Sequence, residues 1–204
     1  MSVVMLPGMP KEYYRKENGR MTQAKKITTP LDDKSVRQLQ AGDSVLLTGY
    51  IYTARDAAHK RLIELIEKGQ KLPIELKGQI IFYAGPTPTK PGYSCGSVGP
   101  TTSYRMDSYT PTLLDKGLKG MIGKGLRSPE VIESMKKNRA VYFGAIGGTA
   151  ALISKSIRKS EVVAYEDLGA EAIYKFYVKD FLVIVVIDSS GYNLYETEPP
   201  KYSK

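Results

Sequence analysis

This chain of 204 residues has one cysteine, one histidine and no tryptophan. A single cysteine, Cys95, excludes an intramolecular disulfide. With only His59 beside it, the chain alone cannot assemble the usual ligands of a structural zinc or of a cysteine-bound iron–sulfur cluster. Long apolar runs are missing as well. The segment FLVIVVI (181–187) is flanked by charge and far shorter than the roughly 20 residues a membrane helix needs, so it reads as buried strand. The opening MSVVMLPGMPKEYYRKENGR meets proline and charge after a few apolar residues and lacks the apolar core of a secretory signal. These absences lead us to expect a soluble, cytoplasmic protein without a membrane partner.

Acidic residues are in deficit, with 21 Asp and Glu against 30 Lys and Arg and a formal net charge of +9. The excess sits in KEYYRKENGR, AKK, KSIRKS and KYSK, while the middle of the chain mixes signs. That distribution is not a basic stripe interleaved with base-reading aromatics, so no nucleic-acid partner is expected. It suits a dianionic metabolite or an acidic partner subunit.

Residues 1–24 are polar and lack sustained periodicity, so they read as an N-terminal extension, mobile as such ends often are. One domain is expected over 25–196, with a tail at 197–204. Within it, DSVLLTGYIYTA (43–54) reads as a strand, RDAAHKRLIELIEKG (55–69) as a helix stopped by glycine, and KGQIIFYAG (77–85) as the next strand. A broken glycine- and proline-rich loop follows to residue 100. Helix is expected from Thr102, restarting near Pro111, and then a short strand in LKGMIGKG (118–125). Ser128 and Pro129 open another helix as N-cap and first residue. AVYFGAIGG reads as strand and TAALISKSI as a short helix. The stretch 161–196 supplies two or three strands closed by a hairpin turn at SSGYN. Strands alternating with helices make an α/β domain.

The stretch GSVGPTTSYRMD (96–107) carries the candidate chemistry. Pro100 would fix the entry to a helix, and Thr101, as N-cap, and Thr102 would present hydroxyls and N–H groups where the helix dipole is positive. Arg105, one turn on, offers a guanidinium that can grip a carboxylate through two parallel hydrogen bonds. The same residues also suit a plain helix start with a surface arginine. Two further cations follow strands, Arg55 after TGYIYTA and Lys124 in IGKG, and in open α/β sheets ligands gather at such strand ends. For Lys124 a solvated loop lysine is the competing reading.

The blocks TARDAAHKR, FYAGPTP, GSVGPTTSYRMD, GMIGKG, YFGAIGGTAALI and AYEDLGAEAIYKF, in this order, resemble the C-terminal domain or separate β subunit of class I iron–sulfur fumarate hydratases and L-tartrate dehydratases. The resemblance runs from about residue 25 to 196. It implies a swivelling β/β/α domain with a mixed sheet and flanking helices, and reversible hydration of fumarate to S-malate. It further implies a 4Fe–4S cluster held by a partner α subunit, so the isolated chain is expected to be inactive and Cys95 to be a small filler. Association of β or αβ units is implied too. By the same resemblance Thr101 is the proposed general base, Thr102 helps bind substrate, and Arg55, Arg105 and Lys124 contact its carboxylates. Asp56, His59, Asp167 and Glu171 are expected to be structural or interfacial. Two alternatives stay open: the β subunit of an L-tartrate dehydratase, and a dicarboxylate-binding or assembly module without catalysis.

Overall fold

The computed structural model describes residues 14–17, 20–89, 91–145 and 150–198. Of the expected N-terminal extension, residues 1–13, 18 and 19 lie outside the described residues. Within it β1 (Tyr14–Glu17) and β2 (Arg20–Gln23) pair antiparallel as a two-stranded sheet of their own.

The main sheet has seven strands. Five of them run parallel to one another: β3 (Lys25–Thr28), β4 (Ser44–Thr53), β5 (Ile80–Phe82), β6 (Gly120–Gly123) and β7 (Val141–Gly144). The other two, β8 (Ile157–Ala164) and β9 (Ile173–Ile187), are antiparallel to their partners. Because β9 pairs with both β7 and β4, strands β4, β5, β6, β7 and β9 close into a five-stranded ring, leaving β3 and β8 as flanking strands. Two strands therefore account for most of 161–196. The second is a single 15-residue strand that the charged YVKD does not interrupt. It bends at Asp180, whose φ is +51° and whose N–H donates to Thr48 Oγ1 at 3.1 Å, opposite the register slip between Leu47 and Gly49.

The crossovers carry the helices. α1 (Asp33–Arg37) is capped by the Asp32 carboxylate, and α2 (Asp56–Glu67) follows β4 and ends ahead of Gly69 at φ +64°. α3 (Thr110–Asp115) precedes β6, and α4 (Pro129–Asn138) starts at the Ser128 cap with proline in its first turn, as the sequence predicts. α5 (Ala150–Ser156) links β7 to β8, and α6 (Leu194–Thr197) follows β9. The SSGYN turn is tight, closed by an Ile187–Asn193 bridge and by the Asp188 carboxylate, which accepts from the Ser190 and Tyr192 amides. It leads into α6 and not into a further strand, so no hairpin forms there.

Strand side chains divide between two apolar clusters. Ile80, Phe82, Ile122, Val141 and Phe143 join Leu47, Ile51, Phe181, Val183 and Val185 in a cluster without residues of α2, α3 or α4, which fills the ring. Ile81, Tyr83, Met121 and Tyr142 face the other way, onto Ala58 and Leu62 of α2, Leu113 and Leu114 of α3, and Val131 and Met135 of α4. Each fully buried Leu, Ile, Val or Phe contributes about 1.5–3 kcal/mol, so the pattern of side chains fixes which face of each strand turns to the ring and which to the helices. The fold is a mixed α/β domain with helices packed outside a closed ring.

Candidate active site

The carboxyl ends of β4, β5 and β6 lie side by side, and every candidate residue issues from them or packs on them. Arg55 and Asp56 follow β4 at the start of α2, Tyr83 and Gly85 follow β5, and Lys124 follows β6. Thr101 and Thr102 come to the same edge by backbone bonds. The Thr101 N–H donates to Tyr83 O at 2.6 Å, Thr102 forms a parallel bridge with Lys124, and the Ser103 N–H donates to Lys124 O at 2.8 Å.

This pairing corrects the expected helix. Neither threonine is helical, Thr102 is extended and caps the turn that follows, and that turn is a four-residue 3₁₀ segment, Ser103–Met106, without a side-chain cap bond. Sheet-like bonding to the ends of β5 and β6 outcompetes helix initiation and occupies the Thr101 and Ser103 amides. Hydroxyls, and not a helix dipole, are what the motif offers. Gly123 permits so close an approach, since a Cβ there would collide with Ser103 Oγ, and Gly85 likewise admits the Ala170 carbonyl beside Glu171.

The RMD tripeptide splits three ways. Arg105 points outward, its side chain 43% exposed, and its Nε donates to Asp56 Oδ1 at 2.9 Å. Met106 is buried in the helix-side core. Asp107 turns inward, accepting from Arg127 Nε at 2.7 Å and from the Ser128 N–H at 2.7 Å. Arg127 is buried beneath the motif: Nη2 donates to Thr110 Oγ1 at 2.8 Å, Nη1 reaches the Tyr83 hydroxyl at 3.4 Å, and the guanidinium lies over the Tyr83 and Tyr142 rings. Burial works against its charge, but Tyr83, Asp107 and Tyr142 more than offset that and hold its proton affinity above the ordinary value. Ser103 Oγ and Tyr142 Oη lie 2.9 Å apart, and Tyr142 donates to Gly125 O, so the motif and the Lys124 loop share one buried anchor. Burial pushes the Tyr142 phenol up. The sequence reading missed Arg127 and Asp107. No local spacing signals the pair, because α3 and β6 lie between the two residues.

The second arginine is held differently. Arg55 Nη2 lies 3.2 Å from Glu171 Oε1, and the other oxygen of Glu171 accepts from the Ala57 N–H at 3.1 Å. The Arg55 Nε is buried and, among the described residues, has no partner. Glu171 thus locks a cation and the first turn of α2 together. Asp167 pairs with Arg61 through two hydrogen bonds of 2.8 and 2.5 Å. His59 is fully buried. Its Nδ1 lies 2.9 Å from Arg55 O and donates to it, while burial pushes the imidazole down to about 4 from 6.5 and the Arg55 carbonyl bond only partly opposes this. It stays neutral and supports the Arg55 turn. Cys95 is buried in the ring-side core, where burial pushes its thiol up.

Lys124 is exposed, and its amino group has no partner among the described residues. Neither of two cavities, of about 740 and 430 Å³, is lined by Arg55, Thr101, Thr102, Arg105 or Lys124. Those residues stand on an open edge. Among the described residues there is no group of three or more His, Cys, Asp or Glu able to hold a metal ion, and the donor set, one buried cysteine and one buried histidine, does not fit a thiolate-bound cluster. No helix among the described residues is long and apolar enough to cross a membrane.

The architecture is a mixed α/β domain in which the ends of parallel strands on a closed ring carry Arg55, Lys124 and, through the Thr102–Lys124 bridge, the Thr101–Arg105 segment. The sequence profile of the family described as Fumarase C-terminus matches residues 5–198, and the chain belongs to that family. It is 45% identical over 152 residues to the anaerobic class I fumarate hydratase of Escherichia coli, covering 74% of this chain and 28% of that protein. It is 39% identical over 173 residues to fumarate hydratase 2 of Leishmania major, covering 83% of this chain and 30% of that protein. The chain therefore spans less than a third of these fumarate hydratases. By contrast, a Methanocaldococcus jannaschii protein provisionally named L(+)-tartrate dehydratase subunit beta is 38% identical over 172 residues, 81% of this chain and 88% of its own length.

Proposed function

We propose that this chain is the β subunit of a heteromeric iron–sulfur fumarate hydratase, a hydro-lyase that interconverts fumarate and S-malate. The observation that carries this reading is the placement of Arg55, Thr101, Thr102, Arg105 and Lys124 on one edge formed by the ends of β4, β5 and β6. Three cations are opposite in sign to a small dianion and can hold both of its carboxylates, and an open edge is what a half-site completed by another chain presents. The 4Fe–4S cluster belongs to that partner α subunit, because the donors here do not fit it. The ring with its outer helices is read as the family's swivelling β/β/α domain.

In this reading Arg55, Arg105 and Lys124 bind the substrate carboxylates, with Thr102 as a further contact. Taking a proton from the carbon next to a carboxylate builds a second negative charge on that carboxylate. Fixed cations that bind this form more strongly than the ground state lower the barrier. Arginine suits the task because it stays charged and presents a planar fork. Thr101 is the base. Its backbone is pinned to Tyr83 O while its hydroxyl has no partner among the described residues, so neighbouring cations must lower its proton affinity when substrate is bound.

The β subunit of an L-tartrate dehydratase is the second reading. It is favoured by the similarity to the M. jannaschii protein, 88% of which is matched, and the same cations serve either dicarboxylate. Hydro-lyase assays without oxygen, for this chain alone and with a cluster-loaded α subunit from the same source, decide between them. Malate formed from fumarate only in the mixture supports the first reading, and tartrate turnover without fumarate turnover supports the second. No turnover in any mixture would leave a dicarboxylate-binding or assembly module.

A further inference from the structure

Consecutive residues at the start of α2 hold opposite ends of the candidate site. Arg55 pairs with Glu171, whereas Asp56 reaches across to Arg105. The second contact has a direction that matters. Asp56 Oδ1 accepts from Arg105 Nε at 2.9 Å, and the two terminal nitrogens of Arg105 have no partner among the described residues. Asp56 Oδ2 is buried and, among the described residues, bonded to nothing, so the carboxylate does not wrap the guanidinium bidentately. Arg105 is thereby held by its inner edge while its outer end stays open for another carboxylate. Asp56 in turn is fixed in the first turn of a 12-residue helix, where the dipole favours its charge, above the neutral, wholly buried His59.

We propose that Asp56 is a positioning residue for dicarboxylate recognition: it fixes the guanidinium plane of Arg105 through Nε and so presents the terminal nitrogens as a preformed two-pronged grip. This rests on the reading of Arg105 as a carboxylate contact. An unrestrained arginine side chain would have to be ordered when the ligand binds, and prior restraint removes that cost. The Asp56 side chain is 30% exposed and Arg105 43% exposed, so the pair is too open to be a main stabiliser of the fold, which leaves orientation as its consequence.

The test compares Asp56→Asn and Asp56→Ala in the assembled αβ complex. Calorimetric binding of succinate, a dicarboxylate that cannot be hydrated, is read beside KM, kcat and the thermal midpoint. The amide oxygen of Asn can still accept from Arg105 Nε, so Asp56→Asn is expected to bind succinate within about threefold of the parent, and Asp56→Ala to bind it about tenfold or more weakly at an unchanged midpoint. In an Arg105→Met background the Asp56→Ala change should add nothing further. Equal weakening by Asn and Ala would overturn the proposal in favour of a charge effect. Unchanged binding in Asp56→Ala, weakening that follows a lowered midpoint, or no succinate binding by the parent complex would also overturn it. Succinate binding with the expected pattern but no hydro-lyase turnover would defeat the proposed function and leave the positioning role standing.

Discussion

Arg127 and Arg105 belong to neighbouring loops at one strand edge and have opposite fates. The Arg127 side chain is 0% exposed, and each of its three nitrogens faces a partner, whether Asp107, Thr110 or Tyr83. Arg105 is 43% exposed and spends one nitrogen on Asp56. A saturated guanidinium is a structural part, whereas one with terminal nitrogens left over on an open edge is free to take a ligand, the role we propose for Arg105. The same contrast separates the Ser103 hydroxyl, bonded to buried Tyr142, from that of Thr101, left without a partner among the described residues. Two layers result: a bonded platform of Ser103, Asp107, Thr110, Arg127 and Tyr142, and above it the exposed or half-exposed groups that we assign to substrate.

Variants that strike one layer should leave the other intact. The largest effect is expected from Thr101→Ala in the assembled complex: kcat lower by about 10²–10⁴-fold, the range for a lost general base, with an unchanged unfolding midpoint. Steady-state rates with calorimetry on the same samples check this. Arg127→Met should do the reverse. Leaving Asp107 without its buried partner costs about 3–5 kcal/mol, measured by denaturant unfolding, and activity should fall only as the folded fraction falls.

A pH effect of intermediate size should come from the platform side. His59 takes up a proton near 6.5 in the unfolded chain and only near 4 in the folded one, so the unfolded state binds more protons between those values. The contribution of His59 to stability is complete above pH 6.5, is lost as pH falls toward 4, and totals about 3 kcal/mol. Denaturant unfolding across that window should show a shallower slope in His59→Phe. The smallest effect is expected from Lys124→Ala: about a tenfold rise in KM with kcat little changed, since one charge-assisted contact is removed from an exposed side chain.

Much of the scaffold is legible because strand and helix periods are local. The strands in IIFY and VYF, the SP helix start and the glycine stop after α2 all appear in the structure where the sequence places them. The ring closure is not legible. It depends on β9 pairing with both β4 and β7, and nothing local in YVKDFLVIVVI specifies two partners. The motif at 96–107 was misread in form for a similar reason: Pro-Thr-Thr favours a helix start, but the backbone bonds to Tyr83 and Lys124, distant in sequence, hold the threonines out of a helix. Arg127 and Asp107 were overlooked because their pairing exists only once α4 and the 3₁₀ turn are packed together. The placement of Arg55 and Lys124 at strand ends did follow from the order of strands and loops, since charges that follow parallel strands collect at one edge, whereas Arg105 reaches that edge through the Thr102–Lys124 bridge.

The central claim is that Arg105 serves the ligand and not the fold. Its most direct test is Arg105→Met in the assembled complex, with dicarboxylate turnover and thermal midpoint read on the same preparation. The account predicts a loss of kcat/KM of at least about a hundredfold at an unchanged midpoint, the size expected for losing a charge-paired carboxylate grip. Turnover within about threefold of the parent, or a loss that tracks unfolding, would contradict it.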